Sequence, residues 1–204
     1  MIRTPIAIVA FLILNPYSNT LAKDYNLGGK LIIQVYKDPD TLGAGIAHDH
    51  VMLARDWVGT ASYDSLRPSA CEIKIKVPVD ALEVDPESLR KALGYTTRIS
   101  ADQRNDIRTH MLSESQLNAQ VYPNITFRST ECTDRSVSGT LTIRGKSQLV
   151  TMRTRISENG KSFSAHGSLT IRASQFGFQP YSAFFGQLKN RDDMKLTIKV
   201  TNIP

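Results

Sequence analysis

Most of this chain alternates between apolar and polar residues with a period of two, and that pattern limits the folds open to it. In one segment Ile73, Ile75 and Val77 alternate with Lys74 and Lys76. Successive side chains of a strand point to opposite faces, so the alternation predicts strands with one dry face and one wet face. Such strands favour antiparallel sheets, because parallel strands are usually buried on both faces.

Turn signals divide this pattern into about eight or nine short strands. We predict strands that begin near residues 30, 47, 57, 71, 123, 135, 147, 161 and 193. The predicted turns between them are Gly28-Gly29, Arg67-Pro68-Ser69, Gly145-Lys146-Ser147 and Glu158-Asn159-Gly160. Short strands joined by hairpins predict an all-β domain, either a closed barrel or a sandwich.

The segment from about residue 80 to 120 departs from this alternation. Residues 86–93 have a helix-forming composition, and Ser100 is a suitable N-cap for a segment that contains Ile107, Met111 and Leu112. We therefore predict a helical insertion between two strands, placed to cap one end of the fold as a lid.

The first two dozen residues have the composition of a secretory signal peptide. Arg3 is followed by an apolar run from Ile6 to Leu14 and by small residues at Thr20-Leu21-Ala22. The apolar run is far shorter than the roughly 20 residues that span a bilayer. We predict a signal peptide over residues 1–22 and a single exported domain over residues 23–204.

The formal net charge is +6, but Lys and Arg are spread along the predicted strands. This distribution does not favour nucleic acid as a partner, since no basic helix or aromatic–basic interleaving is present. The net positive charge is compatible with peripheral contact with an anionic membrane and also with an ordinary solvated surface.

Cys71 and Cys132 are the two cysteines, and export would place them where disulfides form. Cys71 opens one predicted strand and Cys132 closes another, so antiparallel pairing would bring them together. Simple alternation, however, places Cys132 on the face opposite to Ile125 and Phe127. A structural disulfide would therefore need a β-bulge that returns both cysteines to one face.

His48 and His50 form the only candidate metal site. On a strand they would share one face with Met52, and two imidazoles with a thioether suit copper. These donors fall short of a closed four-ligand site, and no fourth is evident. The alternative is that Asp49 or a histidine hydrogen-bonds backbone at a strand end.

No catalytic constellation is evident, and we do not expect an enzyme. The chain lacks a nucleophile elbow, a phosphate-binding glycine loop and an HExxH motif. Asp192 and Asp193 are adjacent, so on a strand they would face opposite ways.

Taken together, six segments resemble the YceI-like family of periplasmic lipid-binding proteins. They occur in the family's order and are Ala47-His48-Asp49-His50, residues 79–84, residues 107–112, residues 122–129, residues 139–145, and Phe176-Gly177-Phe178 with Asp192-Asp193. The His-Asp-His form, together with residues 180–183, looks like a subgroup, to which the family's ligand does not automatically carry over. The resemblance implies a lipocalin-like, antiparallel eight-stranded barrel with helical elements and a periplasmic location.

The resemblance also implies an elongated internal pocket for a polyisoprenoid or another long amphiphile, with no other cofactor. Barrels of about eight strands can enclose one small ligand. The candidate lining residues are Ile73, Ile75, Val77, Phe127, Leu141, Ile143, Met152, Phe163, Leu196 and Ile198. Alternation alone favours the alternative, in which these side chains interdigitate and fill the core of a structural domain that acts through its surface; the resemblance reverses that preference.

An aromatic-rich loop before the final strand is the candidate mouth of this pocket. Trp57, close to His48 and His50, would line this mouth or simply pack there. The mouth residues expected in the loop itself are Phe176, Phe178, Tyr181 and Phe184. They would form a flap over the pocket or a surface that touches membrane; the alternative is a packed loop that plugs the barrel end.

Overall fold

A computed structural model describes residues 22–204, so the predicted signal peptide lies almost wholly outside the described residues. The described region contains eleven strands and two α-helices. The strands are β1 (Lys23–Lys37), β2 (His50–Ala54), β3 (Val58–Tyr63), β4 (Glu72–Pro78), β5 (Leu82–Val84), β6 (Asn124–Cys132), β7 (Ser136–Ile143), β8 (Lys146–Glu158), β9 (Phe163–Arg172), β10 (Ser182–Ala183) and β11 (Leu188–Ile203). The helices are α1 (Glu87–Ala92) and α2 (Ala101–Leu112).

Eight of the strands close into an antiparallel barrel, as predicted, and the sandwich alternative is wrong. The order around the barrel is β1-β3-β4-β6-β7-β8-β9-β11, and β11 pairs again with β1. This closing pair runs from Asn26 opposite Ile203 to Val35 opposite Met194. Closure leaves no free edge among these eight strands. The short strands β2, β5 and β10 extend the sheet at one end of the barrel.

The predicted turn at Gly28-Gly29 is wrong, because both glycines lie inside β1. Before them, Lys23 to Leu27 pair with β3; after them, Ile32 to Val35 pair with β2. Gly29 has φ +119°, and a Cβ there would lie 2.3 Å from the Lys199 carbonyl oxygen. Glycine in this strand therefore marks the bend where β1 exchanges partners, a role that sequence alone does not separate from a turn.

The two helices begin and end close to their predicted positions. Ser100 caps α2 through a capping box, in which its hydroxyl accepts from the Gln103 N–H and the Gln103 side chain accepts from the Ser100 N–H. Helix α1 covers the outer face of β1 and β2, where Leu89 packs with Val51 and Leu53. Residues 51–54 are therefore apolar on both faces. No helix within residues 22–204 combines the length and apolarity needed to cross a membrane.

One end of the barrel is closed by aromatic packing. The Phe163 ring stacks on Tyr25 at 5.4 Å and meets Tyr63 edge-on at 5.8 Å between ring centroids. The Tyr25 hydroxyl donates to Glu158 at 2.6 Å. Burial, together with this hydrogen bond to a carboxylate, raises the pKa of Tyr25 to about 12. These contacts form the closed end of the barrel.

The same end carries the disulfide between Cys71 and Cys132, whose Cα atoms are 6.0 Å apart. The register of β6 against β7 shifts between Ser129 and Glu131. Beyond that bulge Cys132 pairs with the inward residue Val137 and is buried. The bulge thus moves Cys132 to the inner face, as the alternation argument required of any bridge.

Candidate ligand-binding cavity

An internal cavity of about 720 Å³ runs through the barrel. Its walls come from seven of the eight barrel strands, all except β3, with β2 and α2 completing one end. The volume lies in the range of about 300–1,000 Å³ that is typical of small-molecule sites. The inner face is apolar because period-two alternation places one class of side chain inside on every strand.

All ten predicted lining residues border this cavity, and their exposure shows that the interior is hollow. Five are buried: Ile73, Val77, Leu141, Ile143 and Phe163. The other five keep accessible surface although they point into a closed barrel, and these are Ile75, Phe127, Met152, Leu196 and Ile198. Side chains that interdigitated to native packing density would lose that surface. The accessible surface is the wall of the cavity.

Inward glycines help to keep space inside the barrel. Gly139 lies on the inner face of β7, and a Cβ there would come within 2.5 Å of the Phe127 ring. The missing side chain lets that ring lie flat against the wall. A larger residue at position 139 would push Phe127 out of its place.

Among the lining residues that the sequence prediction missed are two groups, one on β1 and one on α2. Leu31, Ile33 and Val35 of β1 line the wall, and their period of two was a usable signal. Ile107 and Met111 face the cavity from α2, four residues apart on one helical face. Their role depends on α2 lying across the barrel end, which no local pattern specifies.

The end opposite Phe163 is the mouth, and most polar lining residues collect there. They come from three segments: the loop between β1 and β2, helix α2, and the β10–β11 hairpin. These residues are His48, His50, Gln103, Asp106, His110, Tyr181, Asn190 and Arg191. The His110 ring lies here with its centroid 5.0 Å from that of Tyr181. The cavity is therefore apolar inside and polar at its opening.

Three of the five expected mouth residues line the opening and two do not. Phe178, Tyr181 and Phe184 border the cavity. Phe176 is fully buried and packs behind the wall with Ile171 and Leu141, so it anchors the loop rather than forming a flap. Trp57 is half-buried beside Gly59, packs against the main core cluster and borders a shallow groove other than the cavity. For Trp57, packing is therefore the observed role.

His48 and His50 both border the cavity, whereas Asp49 does not. Strand β2 begins only at His50, so His48 reaches the mouth from the preceding loop. The Asp49 carboxylate accepts a hydrogen bond from the Lys37 N–H at 2.9 Å. This is the backbone-bonding role that was the alternative to a metal site. Within residues 22–204 no group of three or more His, Cys, Asp and Glu side chains is arranged to hold a metal ion.

A buried polar cluster holds His50 in place. Asp85 has no exposed surface; its Oδ2 lies 2.7 Å from His50 Nδ1, and its Oδ1 accepts from the Val51 N–H and from Arg90. Burial works to raise the pKa of Asp85, but the hydrogen bonds and charges of its partners outweigh it and lower that pKa. Arg90 in turn donates to the carbonyl oxygens of Asp49 and Thr97. The cluster ties β2 to α1 behind the mouth.

His48 is held in its neutral form by its surroundings. Burial lowers the pKa of its imidazole, and electrostatic interaction with His50, Arg90 and Lys37 lowers it further, against a smaller opposing effect of Asp85. A neutral imidazole suits the rim of an apolar cavity because it can donate and accept hydrogen bonds without adding a charge.

The closed eight-stranded antiparallel barrel with an internal apolar cavity defines a lipocalin-like β-barrel. The family model described as the YceI-like domain matches residues 40–202, so the chain belongs to the YceI-like family, whose barrel is known for binding hydrophobic ligands. No curated protein matches it by sequence.

Two solved structures have the same fold. The crystal structure of Burkholderia cenocepacia BcnA aligns with a TM-score of 0.61 and 14% identity, over 85% of this chain and 96% of that one. The Campylobacter jejuni YCEI protein aligns with a TM-score of 0.52 and 19% identity, over 74% of this chain and 83% of that one.

Proposed function

We propose that this protein is an exported, periplasmic binding or carrier protein that holds the tail of a polyisoprenoid or another long amphiphile inside its barrel. The observation that supports this is the apolar cavity, whose inward side chains keep accessible surface within a closed barrel. We also infer that the His48-Asp49-His50 motif marks a subgroup of the family with its own ligand.

Partition of the tail out of water would supply the binding energy. Each methylene transferred into the cavity contributes about 0.8 kcal/mol, before the cost of immobilising the ligand is subtracted. Because Met152, Leu196 and Ile198 are already held by the barrel, they lose little freedom on binding. The role of the lining is therefore to provide a preformed apolar space.

The distribution of polar groups favours one orientation of the ligand. Packing of Phe163 with Tyr25 and Tyr63 closes one end, while His48, His110 and the other polar lining residues surround the mouth. A tail that enters first would reach the closed end and leave its head at the mouth. This arrangement satisfies the head's hydrogen bonds without burying them in the barrel.

The arrangement supports binding rather than catalysis. His50, the imidazole held by Asp85, belongs to a cluster that also fixes the backbone of Val51 and Asp49. Its contacts account for its position without a reacting partner. Away from the mouth, the walls of the cavity are predominantly apolar.

The test is extraction of freshly purified protein with organic solvent followed by mass spectrometry, together with native mass spectrometry. A lipid-like molecule should co-purify in about molar amount. The Leu196→Trp variant should carry much less of it, because the indole would fill the cavity. The matched Lys195→Trp variant, whose side chain lies on the outer face of the same strand, should carry the normal amount. Repeated absence of any lipid from the unmodified protein would overturn the proposal.

Export is tested separately, by fractionating cells that express the full chain. The protein should appear in the periplasmic fraction with a new N-terminus near residue 23. Retention of a full-length chain in the cytoplasm would contradict this part of the proposal.

A further inference from the structure

Two loops at the barrel mouth expose four large apolar side chains to solvent. The loop between β1 and β2 presents Leu42 and Ile46, which are 90% and 70% exposed. The hairpin between β10 and β11 presents Phe184 and Phe185, which are 69% and 108% exposed. We call these four residues the mouth patch. Single exposed apolar residues are common, but four on neighbouring loops form a surface that favours a partner.

The two loops are joined, so the mouth patch is one surface. The Gly43 N–H, between Leu42 and Ile46, donates to the Gln187 carbonyl oxygen at 2.7 Å. A Cβ at Gly43 would lie 2.6 Å from that oxygen, which explains the glycine at the contact. The Asp38 N–H donates to the Lys189 carbonyl oxygen at 2.8 Å and fixes the base of the loop to β11.

The hairpin holds its two aromatic residues in an unusual backbone conformation. Phe184 and Phe185 have φ +50° and +57°, in the left-handed region that bulky residues rarely adopt. Their rings nevertheless remain exposed rather than packed. A tight turn of this kind fixes the direction of both side chains: Phe184 borders the cavity, and Phe185 does not.

The mouth patch is continuous with the cavity. Ile46 and Phe184 line the cavity mouth, while Leu42 and Phe185 do not border it. The patch therefore leads from bulk solvent to the opening. Two exposed cationic residues, Lys189 and Arg191, lie on β11 directly after the hairpin. The formal net charge of the chain is +6.

We propose that the mouth patch docks the protein on the surface of a phospholipid bilayer, with Leu42 and Phe185 inserted among the lipids and Lys189 and Arg191 facing anionic headgroups. Large apolar side chains with a cationic flank are the usual means by which proteins bind membranes peripherally. The anionic residues Asp38 and Asp40 lie in the same loop, so insertion of the apolar side chains supplies the larger share of the binding. Docking in this orientation opens the cavity toward the bilayer.

This inference goes beyond the proposed function, since docking requires no occupied cavity. The test is a flotation assay in which the protein expressed from the full sequence is mixed with vesicles. The vesicles consist of phosphatidylcholine and phosphatidylglycerol and contain no isoprenoid. We expect the protein to float with the vesicles. The double variant Leu42→Ser/Phe185→Ser should partition into the vesicles with a coefficient that is lower by a factor of about ten or more. It should still take up a lipid probe from solution, because neither residue lines the cavity.

The matched control is Leu66→Ser/Leu149→Ser, which removes two apolar residues that are 77% and 73% exposed but belong neither to the cavity lining nor to the mouth patch. Leu66 lies in the loop between β3 and β4 at the closed end, and Leu149 lies on β8. This variant should float like the parent. Equal flotation of parent and mouth-patch variant, or no flotation of the parent, would overturn the proposal. A dimer that only the mouth-patch variant loses, with no vesicle binding, would assign the patch to a second copy instead.

Fluorescence provides a second measurement that does not depend on affinity. Trp57 is the single tryptophan, so a Trp57→Phe background is silent. In that background Phe185→Trp should shift its emission to the blue when vesicles are added, whereas Leu66→Trp should not. A shift at both positions or at neither would overturn docking through the mouth, whatever the outcome of lipid extraction.

Discussion

His50 Nδ1 lies 2.7 Å from Oδ2 of Asp85, a carboxylate with no solvent-exposed surface. The same carboxylate accepts from Arg90 at 2.7 Å and from the Val51 N–H at 3.0 Å. A buried carboxylate with this number of hydrogen-bond and charge partners is tolerated in the folded protein. Removal of one partner leaves a buried charge uncompensated and destabilises the fold. The contact therefore fixes the start of β2, and with it the histidine side of the cavity mouth.

Replacing Asp85 by Asn should destabilise the fold by about 3–5 kcal/mol, since it leaves the buried Arg90 without its charge partner. Chemical denaturation measures this loss. The exposed Asp80→Asn variant is the control and should change the free energy of unfolding by about 0.5 kcal/mol or less. Equal stability of the two variants would contradict the structural role assigned to the cluster.

Acid should remove part of the same stabilisation. The folded-state pKa of Asp85 is lowered, so its contribution is present above the ordinary aspartate pKa of about 3.9 and is lost as the pH falls through the folded value. We expect the difference in stability between the unmodified protein and the Asp85→Asn variant to shrink below about pH 4. Denaturation at a series of pH values measures it, and a difference independent of pH would be contrary to this assignment.

Ligand affinity should fall as the pH drops below about 6.5, because protonation of His48 then places a charge at the rim of an apolar cavity. The pKa of His48 is lowered by burial and by the positive groups around it, so the imidazole is neutral at pH 7. Because the pKa of His48 is lower in the folded protein than in the unfolded chain, the unfolded chain binds this proton first as the pH falls. The free energy of unfolding should therefore decrease over the same pH range as the ligand affinity. A His48→Gln variant should flatten both dependences over that range. NMR titration of the ring reports the pKa directly, and a value above the usual one would refute the prediction.

If partition drives binding, affinity should rise about fourfold for each methylene added to a saturated probe, until the cavity is full. A series of fatty alcohols measured by calorimetry tests this. The binding heat capacity should be negative and should grow with chain length. An affinity that depends on the headgroup alone would show that the cavity is not the site.

Loss of the disulfide should cost about 4 kcal/mol, since it closes a loop with a sequence separation of 61 residues. The measurement is thermal or chemical unfolding of the Cys71→Ser/Cys132→Ser variant. Ligand binding should remain in the folded protein, because the bridge lies at the closed end and away from the mouth. Unchanged stability would mean that the bridge does not constrain the unfolded chain.

Local sequence patterns predicted the structure well where neighbouring residues in the chain decide it. The alternation through Ile73, Ile75 and Val77 predicted both the strand and its inward face, and Ser100 predicted the start of α2. The same reasoning failed where the cause was a distant contact. Gly28 and Gly29 bend β1 between two partner strands, and Phe176 is buried by residues far away in the chain.

What the sequence by itself determined is the period of two, the helical insertion and the inventory of apolar side chains that would face inward. Those properties arise between neighbours in the chain, where backbone geometry alone decides which side a residue faces. Only the tertiary structure decided whether that inward face is filled or hollow, and which loops surround its opening. Such questions depend on the diameter at which β11 returns to β1 and on contacts such as Gly43 with Gln187, which join parts of the chain that share no local pattern.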